Sequence, residues 1–360
     1  MNLRRLLVTF VLAFSLGIIT AVFFLQRPPE NAESPAGASS TAAAPEQKPD
    51  AVQAPDDDSS AEPDPPDQDD SNEPDNWPDD AGTPEQLLYA QAQMMDDAIG
   101  HLEARTPGRP NLYLIAFAGD GSENVFRNEA EYVEKLFNER YGTLGHTIVL
   151  INNPSTLTSR PIASLSNLQS AVDAVSAQMD PEQDVLLLML TSHGSREHEL
   201  HVALDPLPLD QINPDDLSDL FTDTNIQNKV VVISACYSGG FIDALRGPGT
   251  MVITAARSDR SSFGCGAQSA ITNFGRALFV QGLNDNDNFP AAFAEARRLI
   301  NQWETRDGEE HSEPQLASTP QIESRLKAWH DAIHPGPKVP FHVEPNRDKG
   351  EPGQTLTALR

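Results

Sequence analysis

The sequence predicts an α/β fold: a mostly parallel sheet of about six strands, covered by helices on both faces. Two observations support this fold class. Short runs rich in Val, Ile and Leu recur between residues 111 and 256, as in strands that are buried on both faces. Amphipathic stretches of helical period separate these runs, and such alternation gives right-handed crossovers between parallel strands.

The first helix is predicted to begin after Thr83, a typical N-cap residue followed by Pro84, and to end near Glu103. Its apolar stripe is predicted to contain Leu87, Leu88, Ala92, Met95 and Ile99. Further helices are predicted at 126–140, 165–179, 214–221, 273–283, 290–304 and 320–330. Strands are predicted at 111–117, 146–150, 185–190, 230–236 and 251–256, with an edge segment at 315–318 and a hairpin excursion at 199–204.

The amino-terminal segment is predicted to anchor the protein in a membrane. Residues 6–25 carry no charge and are long enough to span a bilayer as one helix. Arg4 and Arg5 precede them, which places residues 1–5 in the cytoplasm. The alternative is a cleaved signal peptide, whose apolar region is usually about 7–15 residues long and ends at a small-x-small site. We expect a single-pass protein of the inner membrane, with its remaining residues in the periplasm or another extracytoplasmic space.

Residues 26–83 are predicted to be an acidic, Pro-rich disordered linker. From residue 28 onward they contain sixteen Asp or Glu residues and one lysine, Lys48, which is more than half of the net charge of −28. They lack the apolar residues that would offset the entropy of ordering. The linker is either a spacer or merely tolerated disorder, and its charge disfavours nucleic acid as a partner. The tail at 334–360 is predicted to be flexible, which leaves 84–333 as the folded domain.

Chemistry is predicted at the carboxyl ends of two successive strands. One apolar run leads to His193 and Gly194, and the next ends at Cys236, before Gly239 and Gly240. Parallel sheets place their sites at this edge, and neighbouring strands lie ~4.8 Å apart. The pattern therefore predicts a Cys236 nucleophile with His193 as its base. The backbone N–H groups of Gly194 and Cys236 are candidates for an oxyanion site, and the two later glycines would let a substrate backbone approach.

Two alternatives concern the nucleophile. Cys236 and Cys265 are the only cysteines, and in an oxidising compartment such a pair often forms a disulfide. Ser238 follows the same strand, but it lacks the flanking glycines that are typical of a serine hydrolase.

A metal site is a further alternative. His193, His198 and His201 lie close together in sequence, with Glu197 and Glu199 between them. The spacing is not that of the helical His-Glu-x-x-His motif, and on a strand His198 and His201 would point to opposite faces. We predict no metal. There is no Walker loop and no strand-linked Gly-x-Gly-x-x-Gly, so no cofactor is predicted either.

These residues resemble the legumain-like C13 cysteine peptidases of the caspase-like clan. In that clan one strand ends in His-Gly and a later strand ends in Ala-Cys, as in His193-Gly194 and Ala235-Cys236. The likeness extends to Ala-Gly-Asp at 118–120 and to the Thr-Ala-Ala, Ser-Ser-Phe and Cys series between 254 and 265. The resemblance implies a caspase-like three-layer α/β/α sandwich and a cysteine endopeptidase with peptide or protein substrates.

The resemblance also implies the roles of individual residues. Cys236 and His193 would be the catalytic dyad. The substrate-binding residues would be Arg127 in the S1 pocket, with Ser234, Ser261 and Ser262. A guanidinium in S1 favours Asn or Asp at P1.

The sequence departs from the legumain pattern in three places. Tyr237 stands where legumains have an acidic residue just after the cysteine. Ser234 stands where legumains have an acidic residue, two positions before the cysteine. Val125 stands where legumains have the asparagine that orients the catalytic histidine, and Asn124 is adjacent but out of register. Strict Asn specificity is therefore not expected. Two other functions stay open: a transamidase or peptide ligase that uses the same acyl-enzyme, and a catalytically inactive membrane-anchored scaffold.

Overall fold

The structure is a computed structural model that describes residues 77–266 and 268–343. The predicted anchor at 6–25 and most of the predicted linker lie outside these residues, as does the chain after residue 343. Within the described ranges, no helix has the length and apolar character needed to cross a membrane.

A single six-stranded sheet forms the centre of the described structure. Its strands are β1 (Leu112–Ala118), β2 (Thr147–Ile151), β3 (Val185–Thr191), β4 (Lys229–Ser234), β5 (Thr250–Thr254) and β6 (Gln315–Ala317). Their order in the sheet is β2-β1-β3-β4-β5-β6. All neighbouring pairs are parallel except β5 and β6, which are antiparallel. The mostly parallel α/β sheet predicted from the sequence is confirmed.

Helices connect the strands in the predicted order. They are α1 (Pro84–Gly100), α2 (Asn124–Tyr141), α3 (Leu165–Gln178), α4 (Pro214–Asp219), α5 (Ile242–Leu245), α6 (Asn273–Gly275), α7 (Phe289–Asp307) and α8 (Pro320–Ala332). The helix predicted at 273–283 is α-helical only in α6 and continues as a π-helix over Arg276–Leu283. The short helix α5 is not among the predicted elements.

Alternate residues of the central strands face two separate cores, which makes the fold three-layered. One core lies between the sheet and the layer formed by α2, α6, α7 and α8. The other lies between the sheet and α3, α4 and α5, with a contribution from α1. This alternation is what a parallel strand covered on both faces requires.

The rotation of α1 differs from the prediction. Leu88 is 44% exposed and Ala92 is also exposed, so the predicted stripe is wrong at both positions. The buried residues of α1 are Leu87, Gln91 and Met95. The Gln91 side-chain carbonyl accepts one hydrogen bond from the Ile162 N–H, in the connection after β2, and one from the Asn167 side chain of α3. Those bonds turn a polar residue inward, which apolar periodicity does not predict.

Residues 334–343 pack on the domain, although the sequence predicts a flexible tail from residue 334. Val339 is 1% exposed. Its carbonyl accepts a hydrogen bond from the Tyr132 hydroxyl (3.0 Å), and its N–H donates to the Asn284 side chain (2.9 Å). Because its side chain is buried and its backbone groups are paired, this stretch is part of the folded domain.

Candidate active site

The carboxyl ends of β3 and β4 lie side by side. Thr191 pairs with Ser234 across the two strands, and His193 and Cys236 each follow two residues later. Within these strands the positions two and four residues earlier face the core on the α2 side. His193 and Cys236 continue this alternation, so both side chains lie on the α2 side of the sheet edge.

The Cys236 sulfur lies among hydrogen-bond donors. The Ser262 backbone N–H donates to Cys236 Sγ (3.2 Å), and the thiol lies 3.3 Å from the Ser262 carbonyl oxygen. The pKa of Cys236 is lowered to about 6, mainly because the Cys265 thiol is its hydrogen-bond partner. Burial opposes the shift, whereas the Ser262 N–H and the charge of His193 add to it. The surroundings of Cys236 therefore favour its thiolate form.

Cys236 and Cys265 are both free thiols. The pKa of Cys265 is raised by its hydrogen bond to Cys236 and by burial, and the charge of Glu123 raises it further. His193 and the Ser262 N–H act on Cys236, whereas a carboxylate acts against ionisation of Cys265. These opposite shifts favour ionisation of Cys236 over ionisation of Cys265.

Two backbone N–H groups flank the thiol. A Cβ atom at residue 194 would collide with the carbonyl oxygen of Cys236, so only glycine fits at Gly194. Within the described residues, the N–H groups of Gly194 and Cys236 donate to no protein acceptor. Tyr237 adopts a left-handed conformation (φ 55°) and donates its own N–H to the Arg260 carbonyl (2.8 Å). This turn leaves two unpaired donors beside the nucleophile, as an oxyanion site needs.

The glycines after the nucleophile pack against the protein itself. A Cβ atom on Gly239 would lie 2.5 Å from the backbone nitrogen of Ser258, and one on Gly240 would overlap the His198 ring. The space that the sequence assigned to an approaching substrate backbone is thus filled by the loop after β5 and by the excursion after β3.

Arg127 is buried in the first turns of α2, where it is 4% exposed. Its Nη1 donates to the Ser155 hydroxyl (2.6 Å), and its Nη2 donates to the Asn128 side chain (2.9 Å). Its Nε lies 3.8 Å from the Glu131 carboxylate. These contacts tie the guanidinium to residues of the protein, and its pocket role stays a prediction.

Ser234 is also buried, at 2% exposure. Its hydroxyl lies 3.1 Å from that of Thr272, which donates to the Glu129 carboxylate (2.6 Å). Either hydroxyl can donate in the bond between Ser234 and Thr272. Complete burial raises the pKa of Glu129 to about 7. Ser234 is therefore joined to an internal carboxyl group behind the nucleophile.

The two other predicted pocket residues lie next to the nucleophile. Ser262 contacts the Cys236 sulfur through its backbone, as described above, and the Ser261 hydroxyl donates to the Tyr237 hydroxyl (3.2 Å). The structure thus brings Cys236, Gly194, Ser261 and Ser262 together.

The histidines after His193 have separate partners. The His201 ring lies 3.6 Å from the Asp120 carboxylate, and the His198 ring packs on Gly240. In the part of the chain that the structure describes, no three His, Cys, Asp or Glu side chains are arranged to hold a metal ion.

Glu123 is a site residue that the motifs do not predict. Its Oε2 atom lies 3.4 Å from His193 Nε2. The available signal is that Glu123 follows β1, which adjoins β3 in the sheet. Strand order is needed to recognise this, because only then does the loop after β1 meet the end of β3.

Comparison with known families agrees with this geometry. Residues 165–323 match the family model described as the Peptidase C13 family. The match contains His193 and Cys236, whereas β1 and α2 precede it. A search of curated proteins finds no match. The resemblance to the C13 peptidases is confirmed.

Proposed function

Residues 165–323 carry the features of the C13 cysteine peptidases, and from this premise we propose a membrane-anchored extracytoplasmic cysteine endopeptidase. The observation that carries the proposal is the edge formed by β3 and β4. There a thiol whose pKa is lowered in part by the charge of His193 lies next to two backbone N–H groups that have no protein acceptor among the described residues. A nucleophile, a base and oxyanion donors within one edge are the parts that acyl transfer requires.

In the first half-reaction, the Cys236 thiolate attacks the carbonyl carbon of the scissile peptide bond, and a C–S bond forms. The negative charge moves to the carbonyl oxygen, where the N–H groups of Gly194 and Cys236 stabilise it. The C–N bond then breaks, and the imidazolium of His193 gives its proton to the leaving amine. The products of this half are a thioester on Cys236 and a free amine.

In the second half-reaction, water attacks the thioester carbonyl while His193 accepts one of its protons. The C–S bond breaks, and the carboxylic acid leaves. Cys236 returns to the thiolate and His193 to the imidazolium. An amine in place of water would give a new peptide bond, so a transamidase or ligase is the alternative function for the same residues.

For the P1 preference, we propose Arg127 as the residue that favours Asn or Asp, with Ser261 and Ser262 beside the scissile bond. Arg127 directly follows Phe126, whose ring contacts the His193 ring edge-on at 5.0 Å between centroids. A guanidinium there would attract a carboxylate or an amide oxygen. Ser234 in place of an acidic residue removes a group that would repel Asp.

The location is proposed from the sequence. Residues 6–25 form an uncharged stretch long enough for one membrane span, with Arg4 and Arg5 on the predicted cytoplasmic side. The acidic linker at 26–83 would then separate the catalytic domain from the membrane surface.

The test uses the full chain, purified in mild detergent and kept reduced. Fluorogenic peptides that differ only at P1 (Asn, Asp, Arg, Lys, Ala and Leu) are offered to the wild type and to Cys236→Ala, His193→Ala and His101→Ala. His101 is an exposed residue at the end of α1, so it is the matched histidine control.

We expect cleavage after Asn or Asp, a loss of at least a thousandfold in Cys236→Ala and His193→Ala, and wild-type rates in His101→Ala. Adding glycinamide separates hydrolysis from transfer, because a transamidase gives a product heavier by that amine. Unchanged turnover in Cys236→Ala contradicts the proposed function.

A further inference from the structure

Glu123 occupies the N-cap position of α2, but its side chain does not cap the helix. N-cap positions favour Ser, Thr, Asp and Asn because their short side chains accept hydrogen bonds from the first turn. The Glu123 carboxylate makes no such bond. Its direction must therefore be explained by something outside the helix.

The carboxylate points towards His193. The Glu123 Oε2 atom lies 3.4 Å from His193 Nε2. Oε2 is buried and has no hydrogen-bond partner among the described residues. A buried, unpaired carboxylate oxygen is costly unless a cation or a donor compensates for it. The imidazole is the group placed to do so.

The loop that carries Glu123 is fixed on both sides. The Asp120 carboxylate accepts hydrogen bonds from the Ser122 N–H (2.8 Å) and hydroxyl (2.6 Å). The Gly121 N–H donates to the Ala203 carbonyl (2.9 Å), which ties the loop to the excursion after β3. Both partners of the Glu123–His193 contact thus belong to segments that are bonded to each other, so the contact is preorganised.

The position used for this purpose in legumains cannot serve here. Val125 is 1% exposed and packs in the core, and it has no polar group. Asn124 accepts a hydrogen bond from the Asn153 side chain (3.0 Å), on the loop after β2. Glu123, two residues before Val125, therefore reaches His193 with a side chain that is longer than that of asparagine.

We propose that Glu123 is the positioning residue of the catalytic histidine, so that the chain uses a Cys236–His193–Glu123 arrangement. This inference rests on the proposed function. With Nε2–H directed at the carboxylate, the neutral imidazole keeps its lone pair on Nδ1, which is then free to exchange a proton with the thiol or the leaving amine. The carboxylate keeps its charge throughout and stabilises the imidazolium.

The edge-on contact of Phe126 with the same ring supports this assignment. Phe126 is completely buried and cannot follow the ring if it turns. The first turn of α2 thus limits the imidazole from one side by packing, while Glu123 directs it by charge. Packing alone permits a ring flip that exchanges Nε2 and Nδ1, and the carboxylate favours one of the two orientations.

The experiment compares the full chain with Glu123→Gln, Glu123→Ala and Glu199→Gln. The glutamine keeps the length and one acceptor oxygen, while it loses the charge and carries an NH2 donor in place of the second oxygen. Glu199 is an exposed glutamate on the excursion after β3, and its replacement removes one negative charge near the site without touching His193. Four quantities are measured: kcat and KM for the best peptide, the rate of Cys236 alkylation by chloroacetamide without substrate, and the thermal midpoint.

We expect Glu123→Gln to lower kcat by about tenfold to a hundredfold, with KM within about twofold of the wild type. The rate of Cys236 alkylation at neutral pH falls in this variant, because a less stable imidazolium on His193 stabilises less of the Cys236 thiolate. Glu123→Ala loses more, Glu199→Gln matches the wild type, and the thermal midpoints stay close together.

Wild-type kcat and alkylation in Glu123→Gln overturn the proposal. A fall that accompanies a lower thermal midpoint and an equal fall in Glu199→Gln also overturns it, because the role would then be structural or generally electrostatic. If the wild type cleaves no peptide, the proposed function fails, and the alkylation rates alone decide the role of Glu123.

Discussion

The edge formed by β3 and β4 and the connection from β1 to α2 both reach the candidate active site, but they do so differently. At the first, the backbone decides: His193, Gly194 and Cys236 follow directly on two paired strands. At the second, side-chain direction decides: Glu123 reaches His193, whereas Arg127 turns to Ser155 and Asn128. Functions that depend on strand ends are readable from local sequence, and those that depend on helix packing are not.

The largest effect is expected from a substitution in the first region, the edge formed by β3 and β4. Gly194→Ala places a methyl group against the Cys236 carbonyl, so the strand ends must separate or Gly194 must shift. Either movement displaces an oxyanion donor, and we expect kcat to fall by at least about a hundredfold. Peptide turnover by the full chain measures this.

The matched control is Gly266→Ala. Gly266 lies in the loop after β5, and a Cβ atom there meets no atom within 4 Å. We expect near wild-type turnover from it. If Gly194→Ala kept the wild-type kcat, catalysis would not depend on the close approach of the two strand ends.

The next effect concerns the second region, where Glu129 of α2 lies behind Ser234. Its pKa is raised from 4.5 to about 7 by burial. Below pH 4.5 the carboxyl is protonated in both folded and unfolded chains. As the pH rises from 4.5 to 7 only the unfolded chain ionises, so the free energy of unfolding falls by about 3 kcal/mol. Glu129→Gln removes this loss, and urea unfolding at pH 4.5 and pH 8 measures it.

Glu139→Gln is the control for Glu129→Gln. Glu139 lies on the same helix and is exposed, so its replacement leaves the pH dependence of stability as in the wild type. If the free energy of unfolding depended on pH equally in the wild type and in Glu129→Gln, Glu129 would ionise normally and water would reach it.

The sheet was predictable because each central strand is buried on both faces and is therefore an apolar run with polar residues at its ends. His193 and Cys236 could be found for the same reason. The contact of Glu123 with His193 could not be found in this way, because it joins the loops after β1 and β3. It also requires the Glu123 side chain to point towards His193 and not to cap its own helix. The exposure of Leu88 and the burial of Val339 were missed likewise. In both cases long-range hydrogen bonds override local apolar pattern.

The smallest expected effect lies where the loop after β5 meets the first region. The Cys265 thiol is the main cause of the low pKa of Cys236. Cys265→Ala removes that donor, and the Cys236 pKa rises from about 6 towards 9. A rise of one unit lowers the thiolate fraction at pH 5 about tenfold and leaves it nearly unchanged at pH 10. The rate of chloroacetamide alkylation of Cys236, followed from pH 5 to 10, gives the midpoint of its titration.

Cys265→Ser is the control, because it keeps a hydrogen-bond donor, and its titration midpoint should stay close to that of the wild type. If Cys265→Ala kept the wild-type midpoint, the Ser262 N–H and His193 would suffice to hold the thiolate, and the Cys265 thiol would have no part in activating the nucleophile.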